Sequence, residues 1–95
     1  MMTWQELRDA PIGTKMVFPD SYDIYPYCIV PVGAKAVLTE RDEECIYLLT
    51  DSAEVTEALA EWDGCVQFNP MNDGYEWTDE SPVALADSKT ENDNA

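Results

Sequence analysis

Short apolar runs punctuated by turn residues recur along most of the chain, and this pattern predicts a mainly β fold. Lys15-Met16-Val17-Phe18 reads as a first strand, Lys35 to Glu40 as a second, Cys45 to Thr50 as a third and Cys65 to Phe68 as a fourth. Pro82 to Ala86 reads as a fifth, edge strand, where a leading proline is tolerated. The third run, CIYLLT, is apolar on both faces, so it is expected at the centre of the sheet. The strand phases point to a core containing Val17, Val37, Ile46, Leu48, Val66 and Phe68.

Two stretches switch to helical spacing. Thr3-Trp4-Gln5-Glu6 has the form of a capping box and predicts a short helix over Trp4 to Asp9, with Trp4 and Leu7 on one face. Pro11 and Gly13 end it. Asp51 or Ser52 is placed to cap a second helix from Ala53 to Glu61. There Val55, Ala58, Leu59 and Trp62 make an apolar stripe, and Glu54, Glu57 and Glu61 line another face.

Between these elements lie irregular segments. Pro19 to Pro31 holds three prolines and three tyrosines without a steady period, and is expected to be a loop folded back on the domain. Arg41 to Glu44 is a hairpin loop, and Asn69 to Ser81 is a turn-rich loop carrying Tyr75 and Trp77. Trp62 and Trp77 are read as core aromatics rather than as a ligand platform. Residues 1–86 form one domain in this reading, and residues 87–95 (DSKTENDNA) a disordered acidic tail.

About five short strands, a long aromatic first loop, a short N-terminal helix and a short acidic helix before the fourth strand resemble an SH3-like barrel. The segment Glu61-Trp62-Asp63-Gly64-Cys65-Val66-Gln67 resembles the EWDNCVQW-type strand of small SH3-like-barrel proteins of bacteria, plasmids and phages. Pro31-Val32-Gly33-Ala34-Lys35-Ala36-Val37 resembles their P-x-G-x-x-G-x-V entry strand. Ala36 stands where a second glycine is usual, and Gly64 where asparagine is usual. The likeness spans about Gly13 to Asp87 and speaks to fold, with little to say on function.

Composition changes the picture through charge. Twenty Asp and Glu oppose five Lys and Arg in 95 residues, a formal charge of −15. A chain so charged repels itself when folded, which costs stability. The load is uneven: residues 1–35 carry four acids and three bases, so nearly all the negative charge lies in residues 36–95. Five cations cannot neutralise a nucleic-acid backbone, which argues against direct nucleic-acid binding. The chain has no histidine, the commonest acid–base catalyst near neutral pH, and no glycine-rich phosphate loop. Neither a membrane-length apolar run nor a signal-peptide pattern is seen, so the expected compartment is the cytoplasm, that of the host cell for a phage-encoded protein. Cys28, Cys45 and Cys65 share no CxxC spacing and are expected to be buried free thiols.

The acids fall into groups: Asp42, Glu43 and Glu44; Asp51, Glu54, Glu57, Glu61 and Asp63, of which the three glutamates are the candidates; Asp73, Glu76, Asp79 and Glu80. Gathered on one side of the fold, such carboxylates stand in for phosphates, which rise about 3.4 Å per nucleotide along a strand. Size, charge and the barrel likeness resemble phage DNA-mimic inhibitors such as anti-CRISPR proteins. That resemblance implies a protein-binding inhibitor whose partner is a basic nucleic-acid-binding complex, with no cofactor and no catalysis. The other readings stay open. One is a solvated acidic face with no partner. Another is an interaction module that binds a host protein through Tyr22, Tyr25 and Tyr27, its acidity serving solubility. Asn69 to Glu80 echoes a twelve-residue EF-hand loop, with Gly74 sixth and Glu80 twelfth, but Met71 and Glu76 break the pattern. No carboxylate pair is singled out for acid–base work.

Overall fold

A computed structural model describes residues 1–86. The expectation of a disordered tail over residues 87–95 lies outside the described residues. The chain runs α1 (Trp4–Asp9), β1 (Lys15–Val17), β2 (Tyr22–Ile24), β3 (Cys28–Val30), β4 (Lys35–Arg41), β5 (Ile46–Thr50), α2 (Ala53–Ala58), a 3₁₀ turn (Ala60–Trp62), β6 (Val66–Phe68) and β7 (Ala84–Leu85). It is a mainly β fold with two short helices and antiparallel sheets.

Five strands form one sheet in the order β6-β5-β4-β1-β7. The pairs β1–β4, β1–β7, β4–β5 and β5–β6 are all antiparallel. Cross-strand partners such as Leu38 and Leu48, or Leu48 and Val66, bring the inward apolar residues into rows. The register slips between Leu38 and Glu40, a bulge that bends the longest strand. Among the described residues no ladder joins β6 to β7, so the sheet has two open ends.

The sheet buries Met16, Ala36, Leu38, Ile46, Leu48, Val66 and Phe68. Phe18 follows β1 into the same core, which Leu7 of α1 and Val55 of α2 also enter. Val17 and Val37, expected in this core, are only half-buried on the opposite face. Side chains alternate along a strand, and the fully buried Met16 and Phe18 fix the phase of β1 one residue away from the expected one. Ala36 and Leu38 fix β4 in the same way. β5 is an interior strand as expected, but Tyr47 is half-buried and Leu49 exposed, so only one of its faces is packed.

The capping box of α1 forms as its spacing implies. Thr3 Oγ1 accepts from the Glu6 amide at 3.1 Å, and Glu6 Oε1 accepts from the Thr3 amide at 2.8 Å. Trp4 and Leu7 are buried together, and Ala10 turns extended ahead of Pro11. The N-terminal segment is then stapled to the C-terminal loop. Met2 donates to Val83 O at 3.0 Å, Trp4 to Asp79 O at 2.9 Å and Gln5 to Trp77 O at 2.9 Å. The buried Ser81 hydroxyl adds a bond to Met2 O at 2.8 Å.

The Pro19 to Pro31 segment is not a plain loop. It holds the β2–β3 hairpin, with Tyr22 paired to Val30 and Ile24 to Cys28 across a turn that contains a cis Tyr25–Pro26 bond. The second helix is also shorter than expected. α2 stops at Ala58, and a 3₁₀ turn carries Glu61 and Trp62. Asp63 and Gly64 then take positive φ, which ends the helical path. A Cβ on Gly64 would meet Thr56 Cβ at 3.3 Å, so both backbone conformation and space favour glycine there. The expected fifth strand over 82–86 is reduced to Ala84–Leu85 at the sheet edge.

Candidate functional site

All ten carboxylates singled out from the sequence are exposed: Asp42, Glu43, Glu44, Glu54, Glu57, Glu61, Asp73, Glu76, Asp79 and Glu80. They differ in what their oxygens do. Asp42 Oδ1 accepts from the Glu44 amide at 2.9 Å and the Cys45 amide at 2.7 Å, closing the β4–β5 turn. The Cys45 amide, then the Glu44 amide, hold its carboxyl below the usual carboxylate range. Asp79 Oδ2 accepts from the Glu76 amide at 2.8 Å and shapes the turn before β7. Glu80 lies 3.9 Å from the N-terminal ammonium. Glu43, Glu54, Glu57 and Glu61 make no side-chain hydrogen bond or ion pair among the described residues. Asp42 and Asp79 are therefore turn formers as well as charges.

Arg8 and Arg41 share a hollow with Asp9, Asp42 and Glu43, without closing an ion pair on them. Among the described residues no Lys or Arg side chain approaches a carboxylate within 4.0 Å. The Arg8 guanidinium lies over the Trp77 ring, 5.1 Å from its centroid. Arg41 donates to the carbonyl of Ala10. Lys15 and Lys35 line a hollow of about 310 Å³ on the outer face of the sheet, beside Val37, Leu49 and Asp51.

The fold brings some acid groups together and not others. Glu43 and Glu44 share a hollow with Asn69, Met71 and Trp77, which sets the β4–β5 turn beside the 69–81 loop. Glu54 and Glu57 lie on α2, which packs on β3 and β5, and neither lines the hollow that holds Glu43 and Glu44. Glu61 leaves the helix for the 3₁₀ turn, so the expected row of three helical carboxylates is broken after Glu57. The 69–80 segment folds as successive turns without flanking helices, and among the described residues no three acids or cysteines are gathered to hold a metal ion.

The tyrosines separate in the same way. Tyr22 is half-buried, with ring centroids 5.9 Å from Phe18 and 5.5 Å from Phe68. Burial, then the charges of Tyr75 and Asp73, push its hydroxyl pKa up. It packs partly against the core. Tyr25, 86% exposed at the hairpin turn, and Tyr27 remain at the surface, joined by Ile29 and Val32. Cys45 is buried, whereas Cys28 and Cys65 are half-buried, so only one thiol is enclosed as expected. Cys28 opens the short strand β3 and Cys65 precedes β6, both beside turns, where apolar sequence neighbours do not ensure cover.

One arrangement has no counterpart in the sequence reading. Ile24, Tyr27, Leu59, Trp62, Gln67 and Asp73 surround a hollow of about 260 Å³ between the hairpin, the 3₁₀ turn and β6. The Tyr27 and Trp62 rings meet edge to face with centroids 5.0 Å apart. These residues come from separate elements, and no spacing along the chain signals their meeting. Trp62 packs partly on the core, as expected of it, but also walls this hollow.

The chain matches no protein-family model, no curated protein and no solved structure. Among the described residues no helix is long and apolar enough to cross a membrane.

Proposed function

We propose that this protein is an acidic protein-binding inhibitor whose carboxylates take the place of nucleic-acid phosphates on a basic DNA- or RNA-binding partner. The observation that carries the reading is the exposure of its carboxylates and their lack of close ion pairs with Lys or Arg among the described residues. The groups on β4–β5, α2 and the 69–81 loop all face solvent, and no Lys or Arg side chain pairs with them among the described residues. A surface of this kind raises the association rate of a basic partner and gains affinity from released counterions. The fold beneath it is read as an SH3-like barrel. The sheet order β7-β1-β4-β5-β6 and the hairpin inserted between β1 and β4 support that reading. The resemblance to small bacterial, plasmid and phage proteins directs the choice of target to a bacterial defence complex, as for anti-CRISPR proteins, acting in the host cytoplasm.

The test is capture and displacement. Immobilised protein is exposed to bacterial lysate at about 50 mM salt, and bound proteins are eluted with duplex DNA or RNA. Elution of basic nucleic-acid-binding proteins by either polymer supports mimicry. Retention through nucleic acid and high salt contradicts it.

A second reading rests on the exposed Tyr25, Tyr27, Ile29 and Val32 of the hairpin and the turn that follows it. In that reading the hairpin docks on a host protein and the acids keep the chain soluble. Its binding should vary little with salt and should vanish when Tyr25 and Tyr27 are replaced by Ala.

A further inference from the structure

We infer that the hollow walled by Tyr27 and Trp62 receives a single arginine side chain from a basic protein partner. The inference rests on the proposed function and deepens it by naming the group that docks. The volume of about 260 Å³ lies just below the range of roughly 300–1,000 Å³ for drug-sized ligands, so it suits one side chain. Its chemistry selects the charge. The two rings meet edge to face at 74°, a contact that covers a face of only one of them, and the faces of the ring that presents its edge are left to attract a cation. Asp73 adds a carboxylate to the rim, and its charge is felt as far as the Tyr22 hydroxyl. Ile24 and Leu59 supply apolar wall for an aliphatic stem.

Among the described residues no lysine or arginine of this chain lines the hollow. An anion entering it would meet the Asp73 charge, and a purely apolar group would make no use of that charge. Arginine fits better than lysine. Its guanidinium is planar and weakly hydrated, stacks on aromatic faces and forks onto a carboxylate, whereas an ammonium is a strongly hydrated point charge. The molecule already makes one such contact internally, Arg8 over Trp77 at 5.1 Å. Elsewhere on the acidic surface, as around Glu54 and Glu57, charge is present without the aromatic pair.

The probe is acetyl-Gly-Arg-Gly-amide, titrated against ¹⁵N-labelled protein and compared with its citrulline and lysine counterparts. Citrulline keeps the shape of arginine without the charge. The arginine peptide should move the Trp62 indole N–H and the Asp73 amide saturably, with lysine weaker and citrulline inert. Tyr27→Ala and Asp73→Asn, both at exposed positions, should each weaken binding by roughly 2- to 30-fold. Trp62→Phe keeps the packing and should weaken it less than Tyr27→Ala. Equal binding of citrulline, or indifference to both Tyr27→Ala and Asp73→Asn, overturns the site. Shifts confined to the α2 carboxylates overturn it too, while leaving the acidic-surface reading intact. Absence of binding by either cationic peptide anywhere on the protein counts against both.

Discussion

The N-terminal segment and the β2–β3 hairpin both lie outside the five-stranded sheet, yet they are held by different means. Residues 2–5 are tied to the 77–83 segment by backbone hydrogen bonds and a Thr3–Glu80 bridge. Trp4 and Leu7 then sink into the core. The hairpin has no ladder to the main sheet among the described residues. Tyr22 and Val30 reach the core, Tyr27 leans on Trp62, and the turn stands clear. Backbone pairing fixes the first region and with it the loop bearing Glu76, Asp79 and Glu80. Backbone bonds between Phe18 and Gly33–Ala34 close the base of the second, and side-chain packing holds the rest of it, leaving its turn exposed. The two kinds of attachment match the two kinds of surface proposed to act, rigid charge and an aromatic edge.

Mutations that attack the fixed region should have the largest effects. Trp4→Ala opens a cavity against Phe68 and Tyr75 and should cost about 3–5 kcal/mol in urea unfolding. Trp4→Phe should cost much less, because the buried indole N–H has no hydrogen-bond partner among the described residues to lose. Next comes Ser81→Ala, which removes a buried hydroxyl bonded to Met2 O. It should cost about 1–2 kcal/mol and speed amide exchange at Trp4 and Gln5. In the hairpin, Tyr25→Ala should stay within about 0.5 kcal/mol of wild type. A cost equal to that of Ser81→Ala would mean that the hairpin turn is as integral as the N-terminal lock, and the contrast would fail.

Asp42 gives the smallest and most pH-bound effect. Its folded carboxyl is held below its ordinary range by the Cys45 and Glu44 amides. Its contribution is therefore complete above the unfolded value and is lost as pH falls through the folded one. Asp42→Asn should flatten the acid limb of the stability curve in that window, read by thermal melts across pH. An unchanged acid limb would mean that the turn does not depend on the charge.

Local features were legible in the sequence, and features set by distant partners were not. The capping box needs only Thr3 and Glu6, so spacing revealed it. The runs that became β4, β5 and β6 carry enough alternation to be seen. β1 is three residues long with apolar groups in both phases, so burial of Met16 and Phe18 decided what local pattern did not. The hairpin was hidden because each of its strands is three residues long and its turn contains Pro26 and two tyrosines, which read as loop. The carboxylates were visible as residues. Which of them close turns, as Asp42 and Asp79 do, depends on backbone geometry that composition does not encode. The Tyr27–Trp62 hollow joins elements far apart along the chain, beyond the reach of any spacing rule.

The salt dependence of binding to a captured partner tests the central claim most directly. Kd is measured across salt for wild type, for Glu54→Gln/Glu57→Gln/Glu61→Gln, and for Asp87→Asn/Glu91→Gln/Asp93→Asn, which removes the same charge from the tail. Phosphate mimicry predicts that the first triple variant weakens binding by about 1 kcal/mol or more and lowers the salt slope, while its fold is as stable or slightly more so. The tail variant should lose little. Equal, small losses in both variants would mean that only net charge matters, and would contradict the account.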